Sequence, residues 1–256
     1  MKPIISNNST LTIKEKINTP KLSPLPTASV ETSEEVRTIG ISEHVQAAAS
    51  LAEAFAKDEI SRYFIDTNDM AAYSDEYKWK LHVNIMRYIT AAHCYKGIVT
   101  TIEPDHDAVA LWMPPGANMD DIWTILRSGM VTEGRTRFFS ELKPLLHQTK
   151  HDVLGVKEDD SYYLVYLGTK PSARGKGYAK KLIEHMTGTA DLEGKATYLE
   201  SSAAPNISYY RKYGFMEKKI VECTRGEKKL LLHIMVRESQ MKGEVVERMS
   251  LPIKAI

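Results

Sequence analysis

Apolar positions along the chain change period several times, and each change marks an element. Residues 162–167 are six consecutive apolar or aromatic residues, the pattern of a strand buried on both faces at the centre of a covered sheet. Ala179, Leu182, Ile183, Met186 and Ala190 then recur at i, i+3, i+4, i+7 and i+11, which predicts an amphipathic helix closed by Gly194. Upstream, 36–41 reads as a short strand. A helix follows from a Ser42 cap through Ala56. A second helix starts at Ser74 or Asp75, carries Leu81, Ile85, Tyr88, Ile89 and Ala92 on one face, and stops at Gly97. Strands at 98–102 and 108–113 flank a polar turn, and Pro114, Pro115 and Gly116 end the second. Residues 117–160 read as helical, with Pro144 starting or kinking a helix. A short strand at 197–199, a helix at 206–213 stopped by Gly214, and strands at 215–223 and 229–237 complete the pattern.

The first 30 residues lack this patterning. Fifteen of them are Ser, Thr, Asn or Pro and none is aromatic, so they bury too little apolar area to offset ordering entropy. We expect a disordered tail of charge +3 at 1–30, a folded domain at 31–237, and a tail at 238–256. The domain would carry a helical insertion at 117–160. The 256 residues have a net charge of +1, which argues against a dedicated nucleic-acid binder. No apolar run reaches the roughly 18 residues of a membrane span. Two cysteines make no disulfide framework. Composition thus predicts an intracellular globular protein, cytoplasmic with the nucleus as alternative, and leaves oligomeric state open.

The chemistry-bearing stretch follows the buried strand. Arg174-Gly175-Lys176-Gly177-Tyr178-Ala179 opens the amphipathic helix. Amides in the first turn of a helix have no intrahelical acceptor and point outward with the positive end of the dipole, an arrangement that binds anions. Gly175 and Gly177 let a phosphate approach the backbone, and Arg174 and Lys176 add charge. The stretch is not a P-loop, which needs four residues between its glycines followed by Gly-Lys-Ser/Thr. It is not a dinucleotide fingerprint either, because Lys180 stands where the third glycine is needed.

This loop resembles the Gln/Arg-x-x-Gly-x-Gly/Ala pyrophosphate loop of the GNAT superfamily of acyl-CoA-dependent N-acyltransferases. Tyr198-Leu199-Glu200-Ser201-Ser202 is similar to that family's next strand. Asn206 and Tyr210-Arg211-Lys212-Tyr213-Gly214-Phe215 are similar to its following helix and turn. Within the family, Ala54-Phe55-Ala56, residues 108–112 and the Leu-Glu-Ser-Ser strand look most like the puromycin-acetylating branch. That likeness says nothing of the natural acceptor.

The resemblance implies an α/β (α+β) fold: a mixed, splayed, mostly antiparallel sheet of six to seven strands with helices on both faces. It implies acetyl-CoA as co-substrate and no metal. Val165, Tyr166 and Leu167 would pair with the pantetheine, the Arg174–Ala179 amides would hold the pyrophosphate, and Asn206 would reach the pantetheine arm. Glu200 would serve as general base and Tyr210 as general acid. The roof at 117–160 would set Trp123, Arg127 and Phe139 over the acceptor pocket, with Phe64 and Tyr63 beside them. The implied reaction is direct acetyl transfer to an amine, a small molecule being favoured, with no nucleic-acid or membrane partner. The alternatives are a non-catalytic acyl-CoA sensor and a protein or histone lysine acetyltransferase. His147 and His151 read as surface residues, Cys94 and Cys223 as structural thiols, and Lys218, Lys219, Lys228 and Lys229 as a solvated strand face.

Overall fold

A computed structural model describes residues 35–102, 104–119, 132–225 and 228–240. Seven strands form one sheet: β1 (Val36–Thr38), β2 (Ile98–Ile102), β3 (Ala108–Met113), β4 (Ser161–Thr169), β5 (Ala196–Ser201), β6 (Met216–Arg225) and β7 (Lys228–Arg237). Their order is β1-β2-β3-β4-β5-β7-β6. All neighbours are antiparallel except β4 and β5. The sheet is therefore mixed and mostly antiparallel, with its one parallel pair at the centre. A parallel pair needs a crossover, which the amphipathic segment supplies as α6 (Tyr178–Leu192).

Helices cover both faces, because strand residues alternate sides. Ala110, Trp112, Leu164 and Leu199 pack with Leu182, Ile183 and Met186 of α6. Val99, Val109 and Leu111 pack instead with Ala47, Ala48 and Leu51 of α1 (His44–Ala54) and with Met86 and Ile89 of α3 (Asp75–Lys96). The second layer continues over β5–β7. There Tyr198, Leu232 and Ile234 cluster with Tyr63 and Phe64 of α2 (Glu59–Ile65), and with Leu142 and Leu154. Leu154 ends a helical run made of α4 (Thr132–Thr136), a π-helical turn Arg137–Leu142 and α5 (Lys143–Leu154). Pro144 falls where the π-helical turn passes into α5, so its missing N–H takes one bond out of the run at that junction. Helix α7 (Ala204–Arg211) links β5 to β6.

Several local expectations shift. The first strand stops at Thr38, and a 3₁₀ turn, Ile41–Glu43, precedes α1, so Ser42 is not the cap. Helix α2 is an addition to the sequence reading. Asp58 caps it by accepting a bond from the Ser61 N–H at 2.9 Å. Ser74 caps α3 as expected, but Tyr88 is exposed, and His82, Met86 and His93 take the buried stripe. The expected tail at 1–30, and all but residues 238–240 of the one expected at 238–256, lie outside the described residues, as do Trp123 and Arg127.

Gly97 shows how tightly α3 joins the sheet. A Cβ there would overlap the Trp112 carbonyl oxygen and sit 3.2 Å from both His93 Cδ2 and Met113 Sδ. Backbone cannot yield as a flexible side chain would. Gly97→Ala is expected to lower stability by about 1–3 kcal/mol, read from the midpoint of urea unfolding. An unchanged midpoint would mean that this junction has slack.

Candidate active site

The site begins with a broken pairing. β4 and β5 pair only from Ser161↔Ala196 to Leu164↔Leu199. On its other side β4 pairs Tyr166 with Leu111 but Leu164 with Trp112, so Val165 is an extra residue without an opposite number. Such a bulge bends its strand and raises the local twist. Beyond it, Val165–Thr169 and Glu200–Ser201 part, leaving a fork between two strand ends. In that stretch the β5-facing main chain of Val165, Tyr166 and Leu167 has no strand partner. An extended ligand can pair there as an added strand.

The β4 arm of the fork runs on through a 3₁₀ turn, Pro171–Ala173, into the first turn of α6. Gly175 and Gly177 have φ of 83° and 80°, values that favour glycine, and a Cβ at either would meet open space. Gly177 is the N-cap of α6 and supplies no capping side chain. The first helical bond in the turn runs from the Lys181 N–H to the Gly177 carbonyl at 3.2 Å. The amides of Tyr178, Ala179 and Lys180 thus point outward without intrahelical acceptors. No acidic residue lies in this first turn. Tyr178 is buried and anchors the helix end, and Lys176 Nζ lies 5.6 Å from its ring centroid. Arg174 Nη2 reaches the Ala54 carbonyl at 3.3 Å, and Lys176 lies 3.9 Å from Asp107. A diphosphate fits this donor set, with open backbone amides, a helix dipole and cationic flanks.

Glu200 sits on the β5 arm of the fork, half-buried, on the same side of the strand as Tyr198. The Tyr163 hydroxyl donates to Glu200 Oε2 at 2.5 Å. Tyr198 lies at its side, its buried hydroxyl making no hydrogen bond of acceptable geometry yet close enough to favour the charged carboxylate. Burial pushes the carboxyl up to about 7. The tyrosine hydroxyls and the Lys150 ammonium oppose that rise. A carboxyl balanced near neutrality is suited to taking and giving protons.

Tyr210 lies on the opposite layer, packed against Phe215 at 5.8 Å and Tyr209 at 6.1 Å between ring centroids. Burial raises its phenol to about 12. Asn206 is exposed in α7. Phe64 and Phe138 meet edge to face at 5.3 Å, and Phe138 meets Phe139 at 4.9 Å, so the Phe64–Phe139 pair is joined through Phe138. Arg137 Nη1 donates to the Tyr63 carbonyl at 2.6 Å, fastening α2 to the helical run.

Sequence reasoning missed Tyr163, Lys150 and Asp58. Tyr163 stands two residues before the bulge and opposite Tyr198, so its period-two spacing from Val165 was the available signal. Asp58 accepts from Ser202 Oγ at 3.0 Å and ties α2 to the β5–α7 link. His147 and His151 both face Glu158, at 3.6 and 2.9 Å, rather than open solvent alone. Burial raises the Cys94 thiol to about 11 and raises Cys223 as well, which disfavours a thiolate nucleophile at either. Of the lysine cluster, Lys219 pairs with Asp152 at 3.0 Å and Lys229 with Glu222 at 2.9 Å.

One arm of a forked sheet thus leads into an uncapped, glycine-rich helix start. Residues 148–217, which span β4 through the start of β6, match the model of the acetyltransferase (GNAT) domain. An uncharacterized N-acetyltransferase of Schizosaccharomyces pombe is 39% identical over 209 residues, covering 79% of this chain and 82% of the relative. The chain belongs to the GNAT acetyltransferase family, whose members transfer acetyl groups from acetyl-CoA. Its fold is similar to that of a mosquito arylalkylamine N-acetyltransferase-like protein (TM-score 0.55, 16% identity, 79% of this chain and 98% of the other). It is similar too to a Corynebacterium glutamicum protein described as histone acetyltransferase HPA2 and related acetyltransferase (TM-score 0.52, 19% identity, 82% and 98%).

The raised carboxyl makes a stability prediction. Between its ordinary 4.5 and about 7, native Glu200 keeps a proton that the unfolded chain has released. The fold therefore loses stability as pH rises through this window, and the whole cost is present above it. Glu200→Gln removes a cost on the order of 2–3 kcal/mol at pH 8 and little of it at pH 5. The variant's melting temperature relative to wild type is expected to rise from pH 5 to pH 8. A pH-independent difference would contradict the raised carboxyl.

Proposed function

We propose that the protein transfers the acetyl group of acetyl-CoA to a small-molecule amine by direct attack, with both substrates bound together. The observation that carries this reading is the fork, which sets a near-neutral carboxyl at one strand end and an uncapped helix start beside the other. Val165, Tyr166 and Leu167 hold the pantetheine by main-chain pairing. The amides of residues 174–179 hold the pyrophosphate, and Asn206 reaches the pantetheine arm. Much of the rate gain comes from fixing amine and thioester in reacting geometry.

Glu200 takes the proton that keeps the amine from attacking, directly or through water. The amine nitrogen then forms its bond to the thioester carbon as the carbon–sulfur bond breaks. Tyr210 acts on the departing sulfur. Its phenol, raised to about 12, lies several units above an ordinary thiol near 8.5. Full proton transfer to the thiolate is uphill, so Tyr210 contributes chiefly a hydrogen bond to the developing negative sulfur. Once bonded to the carbon, the nitrogen is cationic and gives up its second proton to solvent as the amide forms, and the departing thiolate takes a proton from solvent or the one that Glu200 holds.

The acceptor side supports a small molecule over a protein. Phe64, Leu142 and Leu154 cover the sheet face that carries Tyr198. Arg137 and Glu141 fasten α2 to the helical run at Tyr63, through its carbonyl at 2.6 Å and its hydroxyl at 3.2 Å. A covered face suits a compact acceptor, whereas a polypeptide needs a long open groove.

Release of CoA thiol is measured with tryptamine, spermidine and a lysine-containing histone-tail peptide as acceptors. At least one small amine is expected to exceed the peptide tenfold or more in kcat/KM. With that acceptor, Glu200→Gln is expected to lower kcat/KM by about 10²-fold or more. Tyr210→Phe is expected to lower kcat by about 10–100-fold with acetyl-CoA affinity retained. Preference for the peptide would overturn the small-molecule reading. Full activity in both variants would overturn the assigned roles.

A further inference from the structure

The acid–base pair leaves two half-buried polar groups unexplained: Tyr163, whose hydroxyl meets Glu200, and Lys150, beside the Tyr163 ring. The Tyr163 ring stacks edge to face on Tyr198 at 5.3 Å between centroids, and this contact holds its hydroxyl at the carboxylate. Lys150, on α5, places its ammonium 5.6 Å from the centroid of the same ring. The lysine is half-buried and makes no hydrogen bond or ion pair among the described residues. A partly desolvated ammonium without a direct partner is costly. The charges that act on it are those of Glu158, Glu200 and Asp159.

We propose that Tyr163 and Lys150 are positioning residues for Glu200, Tyr163 by a donated hydrogen bond and Lys150 as a nearby counter-charge, together keeping the carboxylate ionised and fixed in the fork. This rests on the reading of Glu200 as the base and deepens it. Burial on the sheet opposes ionisation, and each of the two groups favours the charged form. The other surroundings of Glu200 are accounted for. Tyr198 on β5 lies beside it. Its cross-strand neighbour on β7 is the apolar Ile234. Asp58 at the start of α2 is occupied by the Ser61 N–H and the Ser202 hydroxyl. Burial lowers the Lys150 ammonium, and Glu158 and Asp159, at the end of the helical run, oppose that fall together with Glu200. Glu158 also meets His147 at 3.6 Å and His151 at 2.9 Å.

The test reads the carboxyl itself and needs no acceptor. Protein labelled with ¹³C at glutamate side-chain carboxyls is titrated by NMR from pH 5 to 9, and the Glu200 signal is assigned by its loss in Glu200→Gln. The wild-type midpoint is expected near 7. Tyr163→Phe keeps the ring but removes the hydroxyl, and Lys150→Met keeps the length but removes the charge. Each is expected to raise the midpoint by about one pH unit, and Lys150→Arg is expected to restore it. In acetyl transfer, the rise of kcat/KM with pH moves by the same amount. The deficit is then about tenfold below the midpoint and is recovered at pH 9, which a merely structural loss would not show. Midpoints unmoved in both variants would overturn the proposal. If the midpoints move but Glu200→Gln keeps full transfer activity, the base reading fails and the tuning of the carboxyl stands.

Discussion

The structure depends on one extra residue. Val165 has no partner on β3, and β4 bends where it is inserted. Without the bulge, β4 and β5 would continue as a parallel ladder, and pairing with Glu200 and Ser201 would consume the main chain of Val165 and Tyr166. With it, pairing ends at Leu164 and Leu199. Both consequences of the split bear on the proposed site. One strand end keeps unpaired backbone for an extended ligand, and the other presents Glu200 at the edge of the gap.

Two electrostatic poles then face the same fork for opposite reasons. The start of α6 is positive because its amides are uncapped and its first turn holds no acid. The Glu200 pole is adjustable because burial, two tyrosine hydroxyls and a lysine pull its carboxyl in opposing directions. The chain as a whole is close to neutral, at +1. Attraction for a polyphosphate cofactor is therefore local to the loop, not a property of the whole surface.

Much of this was legible in the sequence because the signals were local. The stripe from Ala179 to Ala190, the strands at 98–102 and 108–113, and the glycines of the anion loop each lie within one element. Elements set by tertiary contact were harder to read. Helix α2 is only seven residues long and owes its start to Asp58, whose second oxygen is held by Ser202 far along the chain. On α3 the apolar count favoured Tyr88, yet packing against α1 buries Met86 and His82. His82 is accommodated because its ring nitrogen meets the Ala52 carbonyl at 3.0 Å. In the site, Glu200 lay inside a recognisable strand motif. Tyr163 and Lys150 reach it from 37 and 50 positions away, through strand register and helix packing that no local pattern encodes.

The central claim is that the β4–β5 fork and the first turn of α6 together seat acetyl-CoA. Amide hydrogen–deuterium exchange with and without saturating acetyl-CoA tests it most directly. The account predicts slowed exchange in two separate stretches, residues 165–167 and residues 175–180, with little change in β1, β2 and β6. Protection confined to other elements, or none in either stretch at saturation, would contradict it.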